Sequence, residues 1–85
     1  MTYPIYRKYN DSLTYFKITT DAEFQELKRQ GKYYSLSNFK CKIHPDRVFM
    51  NDLIACSDEY ILTSNESEFL QTLKTWSQDL EFHLP

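Results

Sequence analysis

Apolar and polar positions alternate with a period of two at the start of the chain. Two runs rich in Tyr, Ile, Thr and Phe flank the turn-forming triplet Asn10, Asp11 and Ser12, and this predicts a β-hairpin with strands near residues 3–9 and 13–19. Side chains alternate across a strand, so Ile5, Phe16 and Ile18 fall on one face and Tyr6, Lys8, Tyr15 and Lys17 on the other. The period then changes. Thr20 with Glu23 three residues on has the form of a capping box, Phe24 and Leu27 supply a short apolar stripe, and Gly31 follows Lys28 and Arg29, so a helix of about three turns is predicted over residues 20–31.

Alternation returns at Phe39, Cys41 and Ile43, interleaved with Lys40, Lys42 and His44, which predicts a half-buried strand. Tyr34 and Leu36 are out of phase with that set, so a bulge is expected near Ser37 and Asn38. His44, Pro45 and Asp46 read as a turn. Over residues 47–56 Phe49 and Leu53 fit helical spacing while Met50, Asp52 and Ile54 fit alternation; extended structure is favoured, with a helical turn as the alternative. A short strand follows at Tyr60 to Leu62. Asn65 and Glu68 then repeat the capping device, and Phe69, Leu73, Trp76 and Leu80 recur at offsets of four, three and four, the stripe of an amphipathic helix. The expected fold is α+β: a small, largely antiparallel sheet, hairpin first, with two helices packed on one face in the order ββαβ(β)βα, and residues 81–85 a tail.

The string YPIYRKYNDSLTYFKI, a capped EF segment after it, and then HPDRVFMNDLI resemble a family of small uncharacterised bacterial proteins. That family shares a similar start, a mid-chain Pro-Asp-Arg turn and a final acidic helix. The resemblance covers most of the chain and implies a cytoplasmic bacterial protein. It implies no activity and no site residues.

Composition narrows the function. At 85 residues the chain has room for one domain, residues 1–85, and its aromatic content of 16% is enough for a core without a metal or disulfide staple. A single Gly leaves no glycine-rich phosphate loop. No apolar run is long enough to span a bilayer and no apolar segment follows Arg7 and Lys8, so a cytoplasmic protein with no membrane partner is expected, in which Cys41 and Cys56 stay reduced. Charge is uneven: residues 1–48 carry nine Lys/Arg against five acids, a net +4, and residues 49–85 carry one Lys against seven acids, a net −6. Such asymmetry marks either a partner-facing patch or halves that interleave on folding.

Three chemistries use residue types that this chain holds. Cys41, His44, Cys56 and His83 are the right types for tetrahedral zinc, but Cys41 and His44 stand three apart in a strand and point to opposite faces, so no metal is expected. Cys41 or Cys56 with His44, or Asp46 or Asp52 with His44, lack a catalytic motif, and a chain this small offers little concavity, so a non-catalytic protein without cofactors is expected. Arg7, Lys8, Lys17, Lys40 and Lys42 with Tyr6 and Tyr15 have the types that neutralise phosphates and stack bases, against a pI near 5.6 and no RNP-type signature. What remains is a protein-interaction domain, either binding another protein or forming a homo-oligomer. Tyr6, Lys8, Tyr15 and Lys17 are its candidate surface if nothing covers them; the alternative is a nucleic-acid-binding accessory domain using the same hairpin.

Overall fold

The computed structural model describes residues 2–82 and is a six-stranded sheet with one helix on each face. β1 (Ile5–Tyr9) and β2 (Thr14–Thr20) form the expected hairpin, pairing Ile5 with Ile18 and Lys8 with Tyr15. Asp11 Oδ1 closes the loop by accepting the Leu13 N–H at 2.9 Å. The chain then continues as a meander through β3 (Glu23–Gln30) and β4 (Tyr33–Lys40), crosses in α1 (His44–Ala55), adds β5 (Ile61–Thr63) beside β1, and runs through α2 (Glu66–Asp79) into β6 (Glu81–Phe82). The strand order is β5-β1-β2-β3-β4-β6. Every pairing is antiparallel except that of β4 with β6.

Residues 20–31 are a turn and a strand, which corrects the expected helix. Thr20 Oγ1 accepts the Ala22 N–H at 3.1 Å, a local turn in place of a capping box, and Gly31, at φ +61°, sits in the tight connection to β4. Phe24 and Leu27 are three apart, which suits a helix stripe but equally suits a strand buried on both sides. Phe24 packs with Phe16 and Ile18, and Leu27 with Tyr6 and Tyr15 on the opposite face. The same two-sided burial removes the expected bulge: Tyr34 and Leu36 pack on the α2 side while Phe39 stacks on Phe24 across from them, and the β3–β4 register runs unbroken from Glu23 opposite Lys40 to Gln30 opposite Tyr33.

The expected turn at residues 44–46 and the extended stretch after it are together α1. Its N-cap, Ile43, has no side chain able to cap, which hides the start; Pro45 near N1 and Asp46 in the first turn are the signals that fit it. Met50 and Leu53 from α1 complete one core with Phe16, Ile18, Phe24, Cys41 and Ile61. α2 starts where expected, with Asn65 Oδ1 accepting the Glu68 N–H at 2.9 Å, and brings Phe69 and Trp76 onto Tyr6, Tyr15 and Leu27 as the second core. The helices therefore lie on opposite faces, not on one. Of the segment expected to be a tail, Glu81 and Phe82 form β6; the other three residues lie outside those described.

Candidate functional site

α2 settles the hairpin's outer face. Tyr6 and Tyr15 share that face with Lys8 and Lys17 as the alternation requires, but they are only 8% and 6% exposed, with Phe69 against the first ring (5.7 Å) and Trp76 edge-on to the second (5.7 Å). Burial raises the Tyr6 hydroxyl above its ordinary pKa, with Glu66 adding to the effect. Both tyrosines are packing residues.

The hairpin's cations are also engaged. Arg7 lies on the α1 side, where Nε donates to the Leu53 carbonyl (3.0 Å), Nη2 to Ile54 (2.8 Å) and Nη1 to Tyr6 (2.9 Å). Its guanidinium thereby satisfies carbonyls at the negative end of α1, which has no basic residue in its own last turn. Lys8 Nζ pairs with Glu68 Oε2 at 2.9 Å, and Ser64 Oγ donates to Glu68 Oε1. The Ser64 hydrogen bond, and then that of Lys8, hold the Glu68 carboxyl below the usual carboxylate range, while the bond to Glu68 holds Lys8 above its own. This cluster ties the start of α2 to β1. Of the two predicted binding lysines, Lys17, half-buried between Tyr6 and Gln25 in the register, has no ion pair among the described residues.

Metal and catalytic candidates do not assemble. Among the described residues no group of three or more His, Cys, Asp and Glu is placed to hold a metal ion, and His83 lies outside them. Cys41 is buried, and burial pushes its thiol up and away from the reactive thiolate; Cys56 terminates α1 in a left-handed conformation. His44 is exposed on the first turn of α1, with no hydrogen bond to either cysteine or to Asp46. A groove of about 500 Å³ between α2 and the hairpin loop is lined by Ser12, Gln71, Thr72 and Thr75, but the aromatic rings beneath it, Tyr15 and Trp76, are too buried to offer a stacking face.

The surface left open is an edge. β6 pairs only with Tyr33 and Tyr34, so over residues 35–40 the outer side of β4 has no partner strand among the described residues. Which groups it presents follows from two hydrogen bonds. Cys41 N–H donates inward to Ala22 (2.7 Å), and Glu81 N–H donates from outside to the Lys32 carbonyl (3.0 Å), so odd-numbered residues of β4 bond to β3 and even-numbered ones face out. Among the described residues, the N–H and C=O groups of Leu36, Asn38 and Lys40 are therefore the unpaired ones. Beside them Phe39 is 43% exposed at the end of an aromatic row in which Phe16 meets Phe49, Phe49 meets Phe24 and Phe24 stacks on Phe39 (6.0, 5.8 and 5.1 Å). An open trough of about 700 Å³, lined by Glu23, Gln25, Asn38, Lys40 and Lys42 among others, runs along the other face of the same edge. The far edge, β5, is three residues long.

This site escapes the sequence reading because a bulge is expected there near Ser37 and Asn38 and the residues from Phe39 to Ile43 are expected to be a half-buried strand. Its one legible signal is the polar run Ser35, Ser37 and Asn38 inside an otherwise β-prone stretch, which is how an edge strand differs from a central one. Among the described residues no helix is long and apolar enough to cross a membrane. No family model matches the chain, and comparison with curated proteins and with solved structures finds no match to it.

Proposed function

We propose that the chain is a non-catalytic, cytoplasmic protein-interaction domain, and that the surface it presents is the outer edge of β4 rather than the hairpin. The observation that carries this reading is the row of main-chain groups at Leu36, Asn38 and Lys40 that have no partner among the described residues, beside an exposed Phe39. An extended segment laid along such an edge gains main-chain hydrogen bonds over its whole length, and neighbouring side chains select it. Proteins that do not use an edge blunt it with charge, proline or a bulge. Here the only charge within residues 35–40 is Lys40, at its end. The nucleic-acid alternative keeps Lys17, Lys40 and Lys42 but would have to work without Tyr6 and Tyr15 as stacking rings and without Arg7 as a phosphate contact.

The test is Asn38→Pro in a tagged chain expressed in cells that naturally make the protein. Proline removes an outward N–H that β3 does not use, so the fold is kept and the edge is blocked. Proteins retained by the native chain, an untagged copy included, are expected to be lost from the variant at unchanged melting temperature. Retention of the same set by Asn38→Pro contradicts the reading.

A further inference from the structure

We propose that the occupant of this edge is the same edge of a second copy, paired antiparallel about a two-fold axis through Asn38. The inference rests on the preceding reading of β4 as the interaction surface and names its partner. A two-fold axis at Asn38 sets Asn38 opposite its counterpart, and Leu36 opposite Lys40 of the second copy. All three are outward-facing residues, so every unpaired N–H and C=O of the edge meets a complementary group.

The side chains agree with this register. On the α2 side Lys40 stands across from Leu36 and the two Asn38 amides face each other, so no like charges are opposed. On the α1 side Ser37 stands across from Phe39, and the two Phe39 rings become diagonal neighbours about 7–8 Å apart, within reach of each other. Each aromatic row, which ends at an exposed Phe39 in the single chain, then continues into the other.

Charge distinguishes a second copy from an unrelated segment. The trough and its surroundings balance Lys40 and Lys42 against Glu23 and Asp46, so they select neither an acidic nor a basic peptide. The two ends of the edge are different. Lys40 and Lys42 lie at the finish of β4, whereas Asp79 and Glu81 lie at its start, outermost on the sheet through β6. The cations at that start are otherwise placed: Arg29 Nε donates to the Gly31 carbonyl, and Lys32 lies over the Tyr33 ring at 5.6 Å. Antiparallel pairing carries the lysine end of each copy towards the acidic end of the other, which gives the opposed charges of residues 1–48 and 49–85 a physical use.

Sedimentation equilibrium on the full chain tests this, loaded up to about 0.5 mM because an edge contact of this size is a weak one. The native chain is expected to show a monomer–dimer equilibrium, with dissociation constant raised at least about tenfold by Asn38→Pro, a change of about 1.4 kcal/mol. Asn38→Lys and Asn38→Asp keep the N–H and place like charges opposite each other on the axis. Each alone is expected to be monomeric, and an equimolar mixture of the two to form the mixed dimer. Lys42→Glu is expected to weaken the dimer and Lys42→Glu with Glu81→Lys to restore it. A native chain that stays monomeric throughout, or a dimer indifferent to the sign of residue 38, overturns the second copy as partner. If Asn38→Pro still releases some other retained protein in that case, the edge remains the interaction surface; if it releases nothing, that reading falls too.

Discussion

Trp76→Ala measures how much of the fold depends on α2 closing over the hairpin. Trp76 is 7% exposed, edge-on to Tyr15, in a core shared with Tyr6, Leu27 and Phe69. A buried indole removes on the order of 200 Å² from water, an upper bound of about 5 kcal/mol at roughly 25 cal/mol per Å². Alanine keeps the Cβ and leaves a cavity that this small core can partly close, which puts the expected cost at about 3–4 kcal/mol. A chain of this size is expected to have a stability of roughly 4–13 kcal/mol, so the loss is a large fraction of it. The melting temperature should fall by about 12–32 °C at roughly 4–8 °C per kcal/mol. Urea denaturation followed by far-ultraviolet circular dichroism is the assay, because Trp76 is the sole tryptophan and its fluorescence goes with it. Leu70→Ala, at an exposed position on the same helix, is the control and should cost under about 0.5 kcal/mol. A loss below about 1 kcal/mol for Trp76→Ala would refute the claim that α2 seals this face.

Further outcomes follow from the same geometry. Tyr6→Ser with Tyr15→Ser should destabilise the chain by more than about 3 kcal/mol in thermal melts, as removal of two buried rings; a change under about 1 kcal/mol would mean that the face is open after all. Arg7→Met should cost about 1–3 kcal/mol by taking the charge-assisted donors from the end of α1, where the Ile54 carbonyl loses its partner and the Leu53 carbonyl keeps only the Cys56 N–H, and Arg7→Lys should recover only part of it because an ammonium lacks the planar fork; equal stabilities of Lys and Arg would contradict this. Glu68 has a depressed folded-state pKa, so its contribution is present above the unfolded value near 4.3 and is lost as pH falls through the folded one; Glu68→Gln should flatten the acid limb of the stability curve. Glu26 shows the opposite sign. Burial raises its carboxyl above the ordinary value, so ionisation in the fold is penalised at neutral pH, and Glu26→Gln should raise the melting temperature at pH 7 with a gain that disappears below about pH 4.

The hairpin and α2 were legible because local signals and tertiary role coincide in them. The Asn10 to Ser12 turn, the alternation around it, and the Asn65 cap ahead of a regular stripe each have one physical interpretation. β3 was not legible because a strand between two helices is apolar on both faces, and its Glu, Gln, Lys and Arg residues favour helix when taken alone; pairing along its whole length with β2 and β4 overrides that preference. α1 was hidden by an N-cap, Ile43, that cannot cap and by a Pro that reads equally as turn former or as a residue of the first helical turn. Losing those two elements moved the candidate site. Tyr6 and Tyr15 look like a surface only while both helices are assigned to the opposite face, and the β4 edge becomes visible only once β3 is known to supply its inner partner.

Amide hydrogen exchange along β4 tests the central claim most directly, since it reads the edge residue by residue. In dilute protein the Leu36, Asn38 and Lys40 amides should exchange quickly, while those of Ser35, Ser37 and Phe39, bonded to β3, and of Cys41, bonded to Ala22, exchange slowly. When the protein is concentrated or its partner is added, the first three should become protected and the others stay as they were. Protection of Leu36, Asn38 and Lys40 already in the dilute chain, or fast exchange that persists once the complex has formed, would contradict the account.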